Sequence, residues 1–150
     1  MAETKYGKYI IREPIDEKYV PPFPSKGRAI PQLPPHLHFA GEEHLDGANM
    51  MISVMCISEP FLMREDAHAH DIDKYMCFFG GNPMDIKDFG AEVELCLGEE
   101  EEKHIINSTT VVYVPKGLLH SPLNFKRVDK PIIFMDIMPA AKRVPKQTYK

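Results

Sequence analysis

From Met50 onward, apolar residues fall in short runs separated by turn residues. The runs are Met50 to Ile57, Phe61 to His70, Tyr75 to Phe79, Ala91 to Leu97, Lys103 to Ile106, Val111 to Val114, Leu118 to Phe125 and Ile132 to Met138. Stretches of this length, rich in Val, Ile, Phe and Tyr and without sustained helical periodicity, predict β-strands. Gly80-Gly81-Asn82-Pro83, Gly98-Glu99-Glu100 and Pro115-Lys116-Gly117 mark the turns between them. The pattern therefore predicts one all-β domain over residues 46–140, an antiparallel sandwich or barrel. Within Tyr75 to Phe79, alternation separates Met76 and Phe78 from Tyr75, Cys77 and Phe79, so one set faces the interior and the other a packing surface. The acidic run Glu99 to Glu102 reads as a solvated hairpin tip.

The first 45 residues follow a different rule. Pro14, Pro21, Pro22, Pro24, Pro31, Pro34 and Pro35 remove backbone donors and block helix interiors and central strands. An extended N-terminal arm is expected. It is too apolar for a plain linker, because Tyr9, Ile10, Ile11, Tyr19, Val20, Phe23, Ile30 and Leu33 all need somewhere to bury. Packing on the barrel or on a neighbouring subunit would supply that, which predicts a homodimer. Residues 141–150 read as a short polar tail.

Composition narrows the class without naming a chemistry. The length of 150 residues suits one core, and a formal net charge of −4 gives no reason to expect nucleic acid or an anionic membrane as partner. No apolar run approaches the roughly 20 residues that cross a bilayer, and the N-terminus lacks the order of a signal peptide, so a cytoplasmic protein is expected. Cys56, Cys77 and Cys96 are widely spaced and set in apolar stretches, as buried small hydrophobes of a reducing compartment would be.

The candidate chemistry lies in the histidines. In a strand, His68 and His70 of Asp66-Ala67-His68-Ala69-His70 point to the same side and can reach one ion, with Asp66 on that face too. A second strand carries Pro115-Lys116-Gly117-Leu118-Leu119-His120, where a turn precedes a single histidine. If the two strands are neighbours, three imidazoles converge. A further pair, His36 and His38, sits in the arm with His44 nearby. Surface histidines are the default there, and the alternative is an arm folded over the site.

These residues resemble the cupin superfamily, whose motifs run Gly-x5-His-x-His-x(3,4)-Glu-x6-Gly and Gly-x5-Pro-x-Gly-x2-His-x3-Asn. His68, His70 and Gly81 fall at the spacings of the first, and Pro115, Gly117, His120 and Asn124 at those of the second. The resemblance implies a jelly-roll barrel, the double-stranded β-helix, with the histidines inside its mouth as metal ligands. Leu62 and Thr109 replace the opening glycines, which serve turns rather than metal chemistry. Asn124 is expected to be a structural hydrogen-bonder.

Lys74 is the serious departure, because it stands where the motif has its glutamate ligand. An ammonium about 4 Å from a divalent ion, at an effective dielectric near 20, is repelled by roughly 8 kcal/mol. The favoured arrangement turns Lys74 away to pair with Asp71 or Asp73. The alternatives are a neutral amine beside the metal and a site without metal.

Three neutral imidazoles leave a divalent transition metal its full charge and as many as three open positions, suiting an anionic substrate. Fe(II) is favoured, with Ni, Mn or Zn as alternatives. Cupins with three histidines and no carboxylate include thiol dioxygenases, so the resemblance implies a mononuclear dioxygenase of a small anionic metabolite. A metal-assisted lyase, isomerase or decarboxylase with Lys74 or Asp66 as base is the second expectation, and a non-catalytic binding cupin the third.

Overall fold

The computed structural model describes residues 4–12, 36–139 and 147–150. Eleven strands account for most of the described chain: β1 His36–Ala40, β2 Met51–Ile57, β3 Phe61–Arg64, β4 His68–His70, β5 Lys74–Gly80, β6 Ala91–Leu97, β7 Glu102–Ile106, β8 Thr110–Val114, β9 His120–Val128, β10 Ile132–Met138 and β11 Gln147–Tyr149. They form two antiparallel sheets. One has the order β1-β2-β10-β5-β8 and the other β11-β4-β9-β6-β7, with β3 also paired to β9. Crossing between the sheets at seven of its ten strand-to-strand steps is what rolls a chain of short strands into a barrel without long exposed edges.

Alternation builds the interior. In β5, Met76 and Phe78 are fully buried while Tyr75 is partly exposed, and in β10 Ile132 and Phe134 are fully buried. Phe78, Phe125 and Phe134 stack with ring centroids 5.0 to 6.3 Å apart, at the heart of a cluster that includes Met55, Ile57, Val93, Leu95 and Leu123. The other half of the interior is polar: Lys74, His68, His70 and His120 are all buried. The barrel interior is thus an apolar plug beside a cluster of buried polar side chains.

Several expectations change. The single run Phe61 to His70 is two strands, because the chain bends at Asp66 and the backbone carbonyl there is turned to a side chain instead of a neighbouring strand. The arm and tail each yield a strand: β1 pairs with β2 from His36↔Met55 to Ala40↔Met51, and β11 pairs with β4 from Gln147↔His70 to Tyr149↔His68. The rest of the Pro-rich arm, residues 13–35, lies outside the described residues, as do 140–146. Tyr9 and Ile10, expected to bury, are 59% and 55% exposed beside a 3-10 turn at Gly7–Tyr9. Cys77 and Cys96 are buried as expected, but Cys56 is exposed on the outward side of β2. Asn124 also faces outward, paired with Glu94 between the inward-facing Leu123 and Phe125.

The aromatic cluster sets a stability expectation. Phe134→Ala should cost about 3–5 kcal/mol, because it opens a cavity between two other rings. Val111→Ala, at a position 61% exposed, should stay within about 0.5 kcal/mol. Urea unfolding of both variants beside wild type checks the contrast, and equal losses would mean that the core has been misplaced.

Candidate metal centre

His68 and His70 are carried by β4, where two-residue spacing puts both on the inward face. His120 opens β9 and is the cross-strand partner of His68. Regular alternation would not bring it there: Leu123 faces inward, so a position three residues earlier should face out. The register of β6 against β9 moves from Leu95↔Leu123 to Leu97↔His120, setting three residues against two. That β-bulge inverts the alternation and turns His120 inward. Ser121 within it has φ 86°, the left-handed region, and is buried.

A tight turn fixes the other end of the contact. Leu118 N–H donates to Pro115 O at 3.1 Å, and Gly117 has φ 82°, as position three of a type II turn requires. Gly117 N–H then donates to the carbonyl of His70 at 2.8 Å, tying the turn before β9 to the end of β4.

The three rings meet with centroids 4.2, 4.9 and 5.1 Å apart, and one nitrogen from each lies within 4.8 Å of the others. His68 Nδ1 faces the carbonyl of Asp66 at 3.0 Å, and His120 Nδ1 faces the carbonyl of Leu118 at 3.0 Å. A carbonyl only accepts, so both Nδ1 atoms carry the proton and both Nε2 atoms present lone pairs. Among the described residues, His120 Nε2 and both ring nitrogens of His70 are buried without a hydrogen-bond partner. Buried orphaned nitrogens are costly unless something fills the space between them. Three imidazole donors, two of them with Nδ1 protons fixed, fit a divalent transition ion, and the backbone bonds of His68 and His120 are the supports that ligating histidines ordinarily use.

Charge agrees with that donor set. Burial holds His68 at about 4, with the Arg64 charge adding to the effect. Burial and then Lys74 hold His70 at about 3 and His120 at about 2. All three are neutral near pH 7, the state in which imidazole binds metal.

Lys74 is placed differently from expectation. It does not pair with Asp71 or Asp73; its Nζ lies 3.3 Å from Asp136 Oδ2 on β10. Asp73 is engaged elsewhere, accepting the backbone N–H of Lys116 at 3.0 Å. The reason is direction: Lys74 opens β5 on the inward face shared with Met76 and Phe78, and Asp136 projects from the adjacent strand into the same interior. Asp66 is corrected as well. It lies in the bend before β4, it meets His68 through its backbone carbonyl, and its carboxylate does not belong to the cluster of ligand atoms.

The arm histidines stand apart from the triad. The side chain of His36 lies outside the described residues, while His38 Nδ1 lies 2.6 Å from Ser53 Oγ on β2. Two contributors escaped the sequence reading. Asp136 could have been noticed as a charge at an inward position of an apolar strand. Arg64, whose guanidinium reaches Tyr149 Oη at 3.4 Å and lies over its ring, could not, because Tyr149 arrives from the far end of the chain.

No protein-family model and no curated protein matches the sequence. Solved structures do. An uncharacterized conserved protein with a double-stranded β-helix domain from Klebsiella pneumoniae subsp. pneumoniae MGH 78578 superposes with TM-score 0.54 at 11% identity, over 99% of this chain and 97% of its own. The protein has the cupin fold. Recombinant oxalate oxidase in complex with glycolate is similar over 77% of this chain and 54% of its own, with TM-score 0.51 and 8% identity. DMSP lyase DddQ from Ruegeria pomeroyi DSS-3 is more remote, with TM-score 0.48 and 13% identity over 77% of this chain. The chain spans about half the length of those two proteins, 54% and 51%. No helix among the described residues is long and apolar enough to cross a membrane.

The lowered histidine values predict a pH profile for the metal-free protein. Folded values of about 4, 3 and 2 lie below the ordinary 6.5, so the unfolded chain takes up protons first as pH falls. The histidine contribution to stability is complete above pH 6.5 and drains away below it, by about 1.4 kcal/mol per pH unit for each histidine. Asp136, held above the usual carboxylate range by burial against the opposing pull of Lys74, acts in the opposite direction. Comparing wild type with His120→Gln cancels that term. Urea midpoints from pH 7.5 to 4.5 should fall more steeply in wild type, and parallel profiles would show that His120 is not buried neutral.

Proposed function

We propose that this cupin is a mononuclear metal enzyme, a dioxygenase that uses Fe(II) held by His68, His70 and His120 and acts on a small anionic metabolite. The observation that carries the reading is the convergence of three neutral imidazoles, with Nδ1 of His68 and His120 fixed by backbone carbonyls, and with His120 Nε2 and both nitrogens of His70 buried without a partner among the described residues. A divalent ion bound there supplies Lewis acidity and open coordination positions. The protein's own part is to keep the imidazoles unprotonated, to exclude bulk water by burial, and to surround the centre with the positive charges of Lys74 and Arg64, which favour an anion.

A second reading, a lyase, isomerase or decarboxylase, draws support from the Lys74–Asp136 pair in the barrel interior, which offers an ionisable group for proton transfer without oxygen. Lys74 is the candidate base in that case. Asp66, whose carbonyl orients His68, is the alternative base.

Elemental analysis of untagged protein should find about one transition metal ion per chain, lost in His120→Ala. Wild type without metal after anaerobic reconstitution would remove the proposal. With small carboxylates and thiols as trial substrates, oxygen uptake confined to the Fe(II)-loaded protein supports oxygenation. Turnover with Zn(II) under nitrogen would move the assignment to the second reading.

The homodimer expected from the sequence belongs to the same proposal. Val111 and Tyr113, 61% and 53% exposed on the outward face of β8, offer apolar surface for it. Sedimentation equilibrium at micromolar concentration should return twice the chain mass, and a monomer would remove this element.

A further inference from the structure

The polar part of the barrel interior holds an ion pair that the three histidines do not use. Lys74 is buried at the start of β5, and among the described residues its one partner is Asp136, with Nζ 3.3 Å from Oδ2. The other carboxylate oxygen, Asp136 Oδ1, is shielded from solvent and accepts no hydrogen bond from the described residues. An ammonium has three donors, and a single carboxylate oxygen takes one of them. The pair stands on the sheet opposite the triad, yet the charge of Lys74 acts on all three imidazoles, second only to burial at His70 and His120. Lys74 shares the inward face of β5 with Met76, and Asp136 lies cross-strand from Met76, so the pair points into the barrel from the sheet opposite the triad, with donor capacity to spare.

Charge balance says what that capacity suits. The three imidazoles are neutral, so a divalent ion, the ammonium of Lys74 and the carboxylate of Asp136 leave two positive charges among buried groups. The guanidinium of Arg64 adds to that field from β3. Uncompensated buried charge is among the costlier arrangements in a protein, and a bound dianion cancels it. A single carboxylate cancels only half.

We propose that Lys74 is the second anchor of the substrate, gripping one carboxylate of a small dianionic acid whose other end ligates the metal. Asp136 is a positioning residue that holds the ammonium on the wall and away from the ion. The inference rests on the metal-centre reading above and deepens it by naming a substrate class. It also accounts for lysine at the position where the cupin motif has glutamate: the carboxylate missing from the protein arrives with the ligand.

The test is calorimetric binding to full-length protein loaded with Zn(II), using malonate and succinate beside propionate and butyrate, their singly charged counterparts of equal carbon number. Wild type should prefer the dianions by at least about tenfold, as expected for one charge-assisted contact in a shielded site. Lys74→Met should abolish the preference with metal content unchanged, and Lys74→Arg should keep it. Asp136→Asn preserves an acceptor for the ammonium while removing a competing negative charge, so it should tighten dianion binding. A merely structural role for the pair would weaken it instead.

No preference in wild type, a preference that survives in Lys74→Met, or weaker dianion binding in Asp136→Asn would each overturn the proposal. If Lys74→Met fails to fold, Lys74→Arg and Asp136→Asn still decide. The two readings fail separately: stoichiometric metal without dianion preference leaves the metal centre and removes the anchor. Lys74-dependent dianion binding by a protein that takes up no metal does the reverse.

Discussion

Keeping three imidazoles uncharged and out of water at one point is the constraint on which this structure turns. Each ring gives up hydration, and His120 Nε2 and both nitrogens of His70 receive no hydrogen bond from the described residues in return. Such a cluster is tolerable only in a rigid frame that holds the rings a few ångströms apart and supplies stability elsewhere. The stacked Phe78, Phe125 and Phe134 supply it from the other half of the barrel. Packing energy and chemistry are spatially segregated, so the apolar half can be close-packed while the polar half carries the ionisable groups.

The frame depends on two local departures from regular β geometry. Without the bulge at the start of β9, His120 would face outward and the triad would be a pair. Without a residue able to adopt φ 82° at Gly117, the turn that delivers β9 would lose the N–H bonded to the carbonyl of His70. Both devices act on backbone, yet what they determine is where imidazole nitrogens sit. The histidines themselves take the final step by bonding to carbonyls two residues upstream, at Asp66 and Leu118, which selects the tautomer.

How much of this could be read from the chain depended on whether the information was local. β6 and β10 match their apolar runs to the residue, because central strands of a barrel advertise themselves by composition. β1 and β11 do not, since edge strands such as His36–Ala40 and Gln147–Tyr149 are defined by the neighbour they join. His68 and His70 followed from alternation alone. His120 required the motif resemblance, because simple counting from Leu123 gives the wrong face. The partner of Lys74 was not legible: Asp71 and Asp73 are near in sequence, but the barrel interior brings Asp136 nearer in space.

The aromatic plug also has a topological consequence. Phe78, Phe125 and Phe134 stand on β5, β9 and β10, the strands that also carry Lys74, His120 and Asp136. Each ring that locks into the plug therefore sets the position of one polar group along the same strand. A core substitution that shifts a ring displaces the polar cluster with it.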